Sequence, residues 1–135
     1  PRALDDLGLA TALRALADDM AGRTRIAIAF EGDDAQRWPA DVAMVLYRVA
    51  QEALTNVARH SGARAANVRL ARVGETAELT VEDDGRGFDR HVKPHLGLLG
   101  MRERVTALGG ELVFERAASG GVRVHARVPI AEAAS

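Results

Sequence analysis

Two pairs of short segments alternate between apolar and polar residues, and each pair is separated by a turn that contains glycine. The first pair covers 67–73 and 77–83 around Gly74-Glu75, and the second covers 111–116 and 122–130 around AASGG. Alternation with period two is typical of strands with one buried face, and tight turns join such strands in antiparallel order. The sequence therefore predicts a mostly antiparallel sheet with one apolar face.

Three further segments place apolar residues at helical spacing, and a fifth strand is predicted over 25–31. The first helix is capped by Asp5 and Asp6 and closed by Gly22, the second runs from Pro39 to about Ser61-Gly62, and the third follows Leu96 and stops at Gly109-Gly110. Amphipathic helices cover the apolar face of a sheet. The expected fold is a two-layer α/β sandwich with a mixed, mostly antiparallel sheet covered on one face by about three helices.

The 135 residues suit a single domain, 1–135, with a short tail at 131–135. The net charge of −1 does not indicate a nucleic-acid or anionic-membrane surface, and the absence of cysteine excludes disulfides and thiolate metal sites. No apolar run reaches the roughly 18 residues of a spanning helix. The chain begins at Pro1 without Met, so we expect a piece of a longer protein, with any membrane segment outside it.

Asp83 ends the predicted strand AELTVED on its apolar face, together with Leu79 and Val81. A carboxylate that points toward a core is costly unless hydrogen-bond donors meet it, and the exocyclic amine of a purine is a suitable donor. An alternative is that Asp84-Gly85 merely forms a hairpin turn. Residues 86–96 do not alternate as the second strand of such a hairpin would.

Gly85 and Gly87 follow this acid and would allow a backbone to approach a ligand closely. A dinucleotide fingerprint would need a third glycine where Arg90 stands, and a P-loop needs a Gly-Lys-Ser/Thr sequence that the chain lacks. Neither of those phosphate sites is predicted.

The long second helix carries Glu52, Asn56, Arg59 and His60 along one side, beside its apolar stripe. A solvated helix face is one interpretation of this polar ridge. The other is a site for Mg-triphosphate, which needs hard oxygen ligands for the metal and cations for the phosphates.

Gly97 and Gly100 lie in GLLGMRERV, where the third helix begins. Unpaired N–H groups and the positive end of the dipole favour phosphate oxygens at a helix start. The alternative is a helix that simply begins after a loop.

Four segments taken in order resemble the N, G1, G2 and terminal glycine boxes of the sensor histidine kinases, within the superfamily that includes gyrase and the mismatch-repair ATPases. They are QEALTNVARHS, VEDDGRGF, HLGLLGMRERVTALGG and SGGVRVHARVP. MRERV and the opening PRALDDLGLATALRAL are similar to the branch of nitrate and desaturase sensors. The resemblance implies a Bergerat ATP-binding fold, in which the leading helix over 1–22 follows a dimerisation and phosphoacceptor domain that this chain lacks.

The resemblance also implies a role for each candidate residue, with ATP and Mg²⁺ as cofactors. Asp83 would accept from the adenine amine, and Asn56 would hold Mg²⁺ while Glu52 completes or polarises its water shell. The phosphates would meet Arg59 and His60, the base and ribose would lie under Gly85 and Gly87, and the triphosphate would lie along Gly97, Leu98 and Gly100. Residues 88–96 would form a lid.

Two positions depart from the family pattern. Val122 stands where many relatives carry the threonine of a Gly-Thr pair, whose hydroxyl helps the acid and a water bind the base. His95 stands where the lid has the first glycine of a GxGL pattern. These departures place the water network and the phosphate geometry in question.

The implied reaction transfers the γ-phosphoryl of ATP to a histidine on a domain upstream of Pro1, for delivery to a response regulator. The four histidines here, at positions 60, 91, 95 and 125, do not occupy such a helical hairpin. We expect a cytoplasmic domain of a homodimeric protein, without nucleic-acid or direct membrane contact. The alternatives are a serine kinase of the anti-sigma type and an ATP-binding switch without turnover.

Overall fold

The computed structural model describes Leu4 and residues 7–33, 36–86 and 96–130, without the side chains of His60, Ser61 and Leu96. The predicted caps Asp5 and Asp6 and the tail at 131–135 lie outside the described residues. The elements in chain order are α1 (Leu9–Arg23), β1 (Ala27–Glu31), α2 (Ala40–Asn56), β2 (Ala65–Val73), β3 (Thr76–Asp83), α3 (Leu96–Ala107), β4 (Glu111–Arg116) and β5 (Val122–Pro129).

The five strands form one sheet in the order β1-β2-β3-β5-β4. β1 and β2 are parallel, since α2 provides the crossover that a parallel pair requires, and the other three pairs are antiparallel. The two predicted hairpins, β2-β3 and β4-β5, are confirmed. The prediction of a mixed, mostly antiparallel sheet is therefore confirmed.

One hydrophobic cluster lies between the helices and one face of the sheet. Its most deeply buried large side chains come from all three helices and from three strands: Leu13, Leu46, Leu54, Leu79, Val49, Val68, Val81, Val105 and Val128. Burial of apolar area on this scale is the main stabilising term of the fold. The helices thus cover one sheet face, as predicted.

The opposite face of the sheet is polar. His125 lies on this face, where its side chain is only 19% exposed. Its Nε2 lies 3.2 Å from Oε1 of Glu78, and Arg127 Nε lies 3.4 Å from the same oxygen. Glu78 is the diagonal neighbour of His125 on the adjacent strand, and such neighbours lie within reach of long side chains.

The C-terminal ends of α1 and α3 agree with the prediction. The start of α1, which lies at Leu9 and not directly after the predicted caps Asp5 and Asp6, differs from it, and so does the end of α2. α1 begins after Gly8 and continues one residue past Gly22, and α3 ends before Gly109. α2 is followed by a π-helical turn, Val57–Ser61, which the spacing did not predict. Among the described residues, no helix combines the length and the apolar character needed to cross a membrane.

Candidate functional site

Asp83 is the only buried charged side chain among the described residues, with 5% of its surface exposed. It follows Leu79 and Val81 on the helix-facing side of β3, the central strand of the sheet. The prediction that strand alternation would place this acid on the apolar side is therefore confirmed. A carboxylate at such a position needs donors, and the surrounding backbone provides two.

Among the described residues, two main-chain N–H groups donate to Asp83. The N–H of Gly85 donates to Oδ1 over 2.8 Å, and the N–H of Val122 also donates to the carboxylate. An ionised carboxylate has about four acceptor positions. Two donors therefore leave the group with capacity for a further hydrogen bond.

Burial raises the pKa of Asp83, because the charged form loses hydration. The hydrogen bonds from Gly85 and Val122 act against this shift, while the negative charges of Asp84 and Glu82 add to it. The balance is a raised pKa, so ionisation of Asp83 is costly in the absence of a ligand. An additional donor would offset part of that cost.

The turn between β4 and β5 approaches Asp83 closely through two residues that the sequence analysis did not single out. A Cβ on Gly121 would overlap the main-chain oxygen and Oδ1 of Asp83 and would lie 2.6 Å from its main-chain carbon. The hydroxyl of Ser119 donates to the main-chain oxygen of Asp83 over 3.0 Å. The pair Gly120-Gly121 was the available signal, and it was assigned to a turn and to the terminal glycine box without a role for either residue.

Asp84 points away from the core and ties β3 to the start of β2. Its Oδ1 accepts from the N–H groups of Arg64, over 2.8 Å, and Ala65, over 3.0 Å. These hydrogen bonds lower the pKa of Asp84. The alternative of a hairpin turn at Asp84-Gly85 is wrong, because β2 and β5 already pair with the two edges of β3 and leave none for a strand that follows Gly85.

The polar ridge predicted on α2 divides into two parts. Glu52 and Asn56 are half-buried, whereas Arg59 is exposed on the π-helical turn, and the side chain of His60 lies outside the described residues. Oδ1 of Asn56 is buried and has no hydrogen-bond partner among the described residues. Since buried polar atoms are normally paired, this oxygen indicates a missing donor or cation.

The structure brings Glu52 of α2 against Gly97 in the first turn of α3. A Cβ on Gly97 would lie 2.8 Å from Cδ and 3.3 Å from Oε1 of Glu52 and would be closer still to Oε2. With a larger residue at position 97, the flexible side chain of Glu52 would have to move away from its present position. Of the other candidates in this helix, Leu98 packs its side chain into the core and Gly100 faces open space.

The remaining candidates divide between the two ends of the site. Gly85 and Val122 lie beside Asp83, and Gly87 lies outside the described residues.

The polar residues of α2 fit a Mg²⁺ ion, because Oδ1 of Asn56, which has no partner among the described residues, and the carboxylate of Glu52 are hard oxygen donors one helical turn apart. Mg²⁺ usually takes one or two protein oxygens together with water and phosphate, so it needs no larger cluster.

Comparison with known proteins identifies relatives along nearly the whole chain. A family model described as "Histidine kinase-, DNA gyrase B-, and HSP90-like ATPase" matches residues 41–132, more than half of the chain. The signal transduction histidine-protein kinase/phosphatase DegS of Brevibacillus brevis is 34% identical over 131 residues, which cover 95% of this chain and 34% of that protein. The sensor histidine kinase NarS of Mycobacterium tuberculosis is 38% identical, over 96% of this chain and 31% of that protein.

Among solved structures, the histidine kinase domain of the blue-light activated histidine kinase EL346 from Erythrobacter litoralis is similar, with a TM-score of 0.75 and 25% identity. The match covers 96% of this chain and 69% of that structure. The chain spans about a third of the length of the curated relatives it matches. The expected fold is thus shared with histidine kinase domains.

We predict that the stability contributed by Asp84 disappears in acid. Its folded-state pKa lies below the ordinary value of 3.8, so ionised Asp84 stabilises the fold above that value, and this stability is lost as the pH falls through the lowered pKa. Asp84→Ala should therefore lower the free energy of unfolding at pH 7, and the difference from wild type should shrink below about pH 4. Urea unfolding of both proteins at a series of pH values measures this difference in the free energy of unfolding.

The matched control is Asp18→Ala, which removes an exposed aspartate of α1 that makes no hydrogen bond to a described residue. Its effect on the free energy of unfolding at each pH provides the baseline for loss of an exposed aspartate. If Asp84→Ala destabilises the domain equally at pH 7 and pH 3, the charge of Asp84 does not strengthen its hydrogen bonds.

Proposed function

The chain belongs to the family of histidine kinase-, DNA gyrase B- and HSP90-like ATPases, and we propose that it is the ATP-binding catalytic domain of a two-component sensor histidine kinase. The observation that supports adenine recognition is Asp83, a buried carboxylate with two backbone donors and spare acceptor capacity. The relatives named as histidine kinases favour this function over the serine kinase alternative.

In the proposed reaction, the bond between the γ-phosphorus and the β–γ bridging oxygen of ATP breaks as a bond to an imidazole nitrogen forms, and ADP leaves. The histidine is provided by a separate dimerisation domain. Catalysis of phosphoryl transfer depends mainly on positioning and on offsetting negative charge. This domain would therefore act by holding the nucleotide in place.

At the base, Asp83 accepts from the adenine amine, while Gly121 and Ser119 keep its strand end in position. The N–H of Val122 already donates to the carboxylate, so the missing threonine hydroxyl does not leave Asp83 without a partner on β5. Gly85 and Gly87 allow the loop to pass over the base and ribose.

At the phosphates, Asn56 and Glu52 would hold Mg²⁺, which when bound offsets the negative charge of the phosphate oxygens. The exposed Arg59 and the neighbouring His60 provide cationic or hydrogen-bonding groups, and the start of α3 provides main-chain groups at Gly97, Leu98 and Gly100. Leu98 would contribute only main chain, because its side chain lies in the core.

The further partners follow from the same proposal. The chain corresponds to one part of longer relatives, so the upstream dimerisation domain, a homodimeric assembly, transfer to a response regulator and a cytoplasmic location are all proposed for the whole protein.

The function is tested by incubating the domain with γ-labelled Mg-ATP and a separately supplied helical hairpin that carries a phosphoacceptor histidine. We expect label on the hairpin that is lost in acid and retained in base, as for a phosphorylated imidazole. Acid-stable label would indicate the serine kinase instead. Nucleotide binding without any transfer would indicate the switch domain.

We predict that Asp83→Asn weakens ADP binding about tenfold or more, because an unpaired or mismatched group at a buried hydrogen bond costs about 1–3 kcal/mol. The amide oxygen can still accept from Gly85, so its NH₂ group would face the adenine amine. Stability should not fall: the folded-state pKa of Asp83 is raised, so at pH 7 the ionised carboxylate costs stability that the amide does not.

Calorimetric titration with ADP and urea unfolding without nucleotide provide the two measurements. Asp84→Asn is the matched control, because it changes the adjacent acid, which bonds β2 rather than the site. Equal ADP affinities for wild type and Asp83→Asn would remove Asp83 from base recognition.

We also predict that Asn56→Ala abolishes the increase in ATP affinity that Mg²⁺ produces, since it removes the unpartnered amide oxygen. Affinity for ATP in EDTA should be unchanged. Gln51→Ala is the control, because its amide lies on the same helix and accepts from Arg48. A variant Asn56→Ala that retains the full effect of Mg²⁺ would exclude Asn56 as a ligand.

A further inference from the structure

Glu52 is a half-buried carboxylate held against the beginning of a helix. Its Oε1 would be 3.3 Å from a Cβ on Gly97, in the first turn of α3, and its other oxygen lies closer. The N-terminus of a helix carries partial positive charge that favours an anion. The carboxylate of Glu52 therefore lies where the proposed function puts phosphate oxygens.

Among the described residues, no counter-charge neutralises this carboxylate. Within the described part of the chain, Glu52 makes no ion pair and no hydrogen bond. Its position is determined by the packing of α2 on α3, where Leu54 and Leu98 are buried in the shared core. The negative charge is thus supported by apolar packing, and no partner in the described part of the chain cancels it.

The next polar atom along α2 is also an acceptor. Oδ1 of Asn56 lies one turn beyond Glu52 and is buried, and no described residue donates to it. A carboxylate, an amide oxygen and a phosphate oxygen are all acceptors, so no hydrogen bond can join them. A cation between them makes the contact favourable, because the charges of Glu52 and phosphate otherwise repel.

We propose that Glu52 selects the metal-bound form of the nucleotide: its fixed negative charge rejects free ATP from the start of α3 and accepts ATP that carries a divalent cation. This inference rests on the proposed function, since it places the triphosphate beside Gly97. Glu52 then has a second role besides that of a metal partner. It makes binding of metal-free nucleotide weaker than the rest of the site would allow.

The test is the affinity for ATP in EDTA, where a residue that acts only through the metal has no effect. Glu52→Gln keeps the size of the side chain and removes its charge, and it should bind metal-free ATP roughly threefold to thirtyfold more tightly than wild type, as expected for removal of a like charge at a helix N-terminus. The affinity for adenosine, which has no phosphate, should be the same for both proteins.

Glu103→Gln is the matched control, because it makes the same charge change at an exposed position farther along α3. It should leave the affinity for ATP in EDTA at the wild-type value. Thermal unfolding establishes that each variant is folded, and Glu52→Ala, with its higher helix propensity, repeats the measurement if the glutamine variant does not fold.

Equal affinity of wild type and both Glu52 variants for ATP in EDTA would overturn this inference and leave the proposed function intact. An equal gain in Glu103→Gln would also overturn it, since the effect would then be one of net charge. If the wild-type domain binds neither adenosine nor Mg-ATP, the proposed function itself fails and this inference fails with it.

Discussion

The burial of one carboxylate at the end of the central strand determines how the candidate site is arranged. Asp83 lies between β2 and β5, and the pairing of Glu82 with Arg123 brings the start of β5 beside it. The sheet therefore provides one of its two backbone donors, from Val122, while the other comes from the loop at Gly85. The adjacent acid, Asp84, shows the opposite pKa shift because it is exposed and accepts from the backbone at the start of β2. The end of β3 thus carries Asp83, which can accept a further hydrogen bond, next to Asp84, whose hydrogen bonds to the backbone before β2 stabilise the fold.

The local parts of this arrangement could be predicted from the sequence, and the non-local parts could not. Alternation over 77–83 placed Asp83 on the buried face, because successive side chains in a strand point to opposite faces of the sheet and every second residue shares a face. The parallel pairing of β1 with β2 and the insertion of β5 between β3 and β4 depend on contacts between distant segments, which periodicity does not record. The close approach of Gly121 to Asp83 was missed for the same reason.

The polar ridge of α2 shows where a regular helical period fails. Glu52 and Asn56 are four residues apart and face the same direction, as predicted. From Val57 onward the backbone forms a π-helical turn, and its i→i+5 hydrogen bonds change the angular position of the residues that follow. Arg59 is accordingly exposed and does not continue the half-buried line of Glu52 and Asn56. Such turns occur often at functional sites, and here the turn separates the oxygen groups from the basic ones.

Both ends of the site place a carboxylate against a glycine, but the carboxylate would attract the nucleotide at one end and repel it at the other. At each end a carboxylate lies against a glycine from another element: Asp83 against Gly121 and Glu52 against Gly97. In the proposed function, Asp83 meets the part of the nucleotide that donates a hydrogen bond, whereas Glu52 meets the phosphates, which only accept. An acid is attractive in the first case and repulsive in the second unless a cation intervenes. The placement of the two acids therefore favours one orientation of the nucleotide, with its amine at β3 and its metal-bound phosphates at α3.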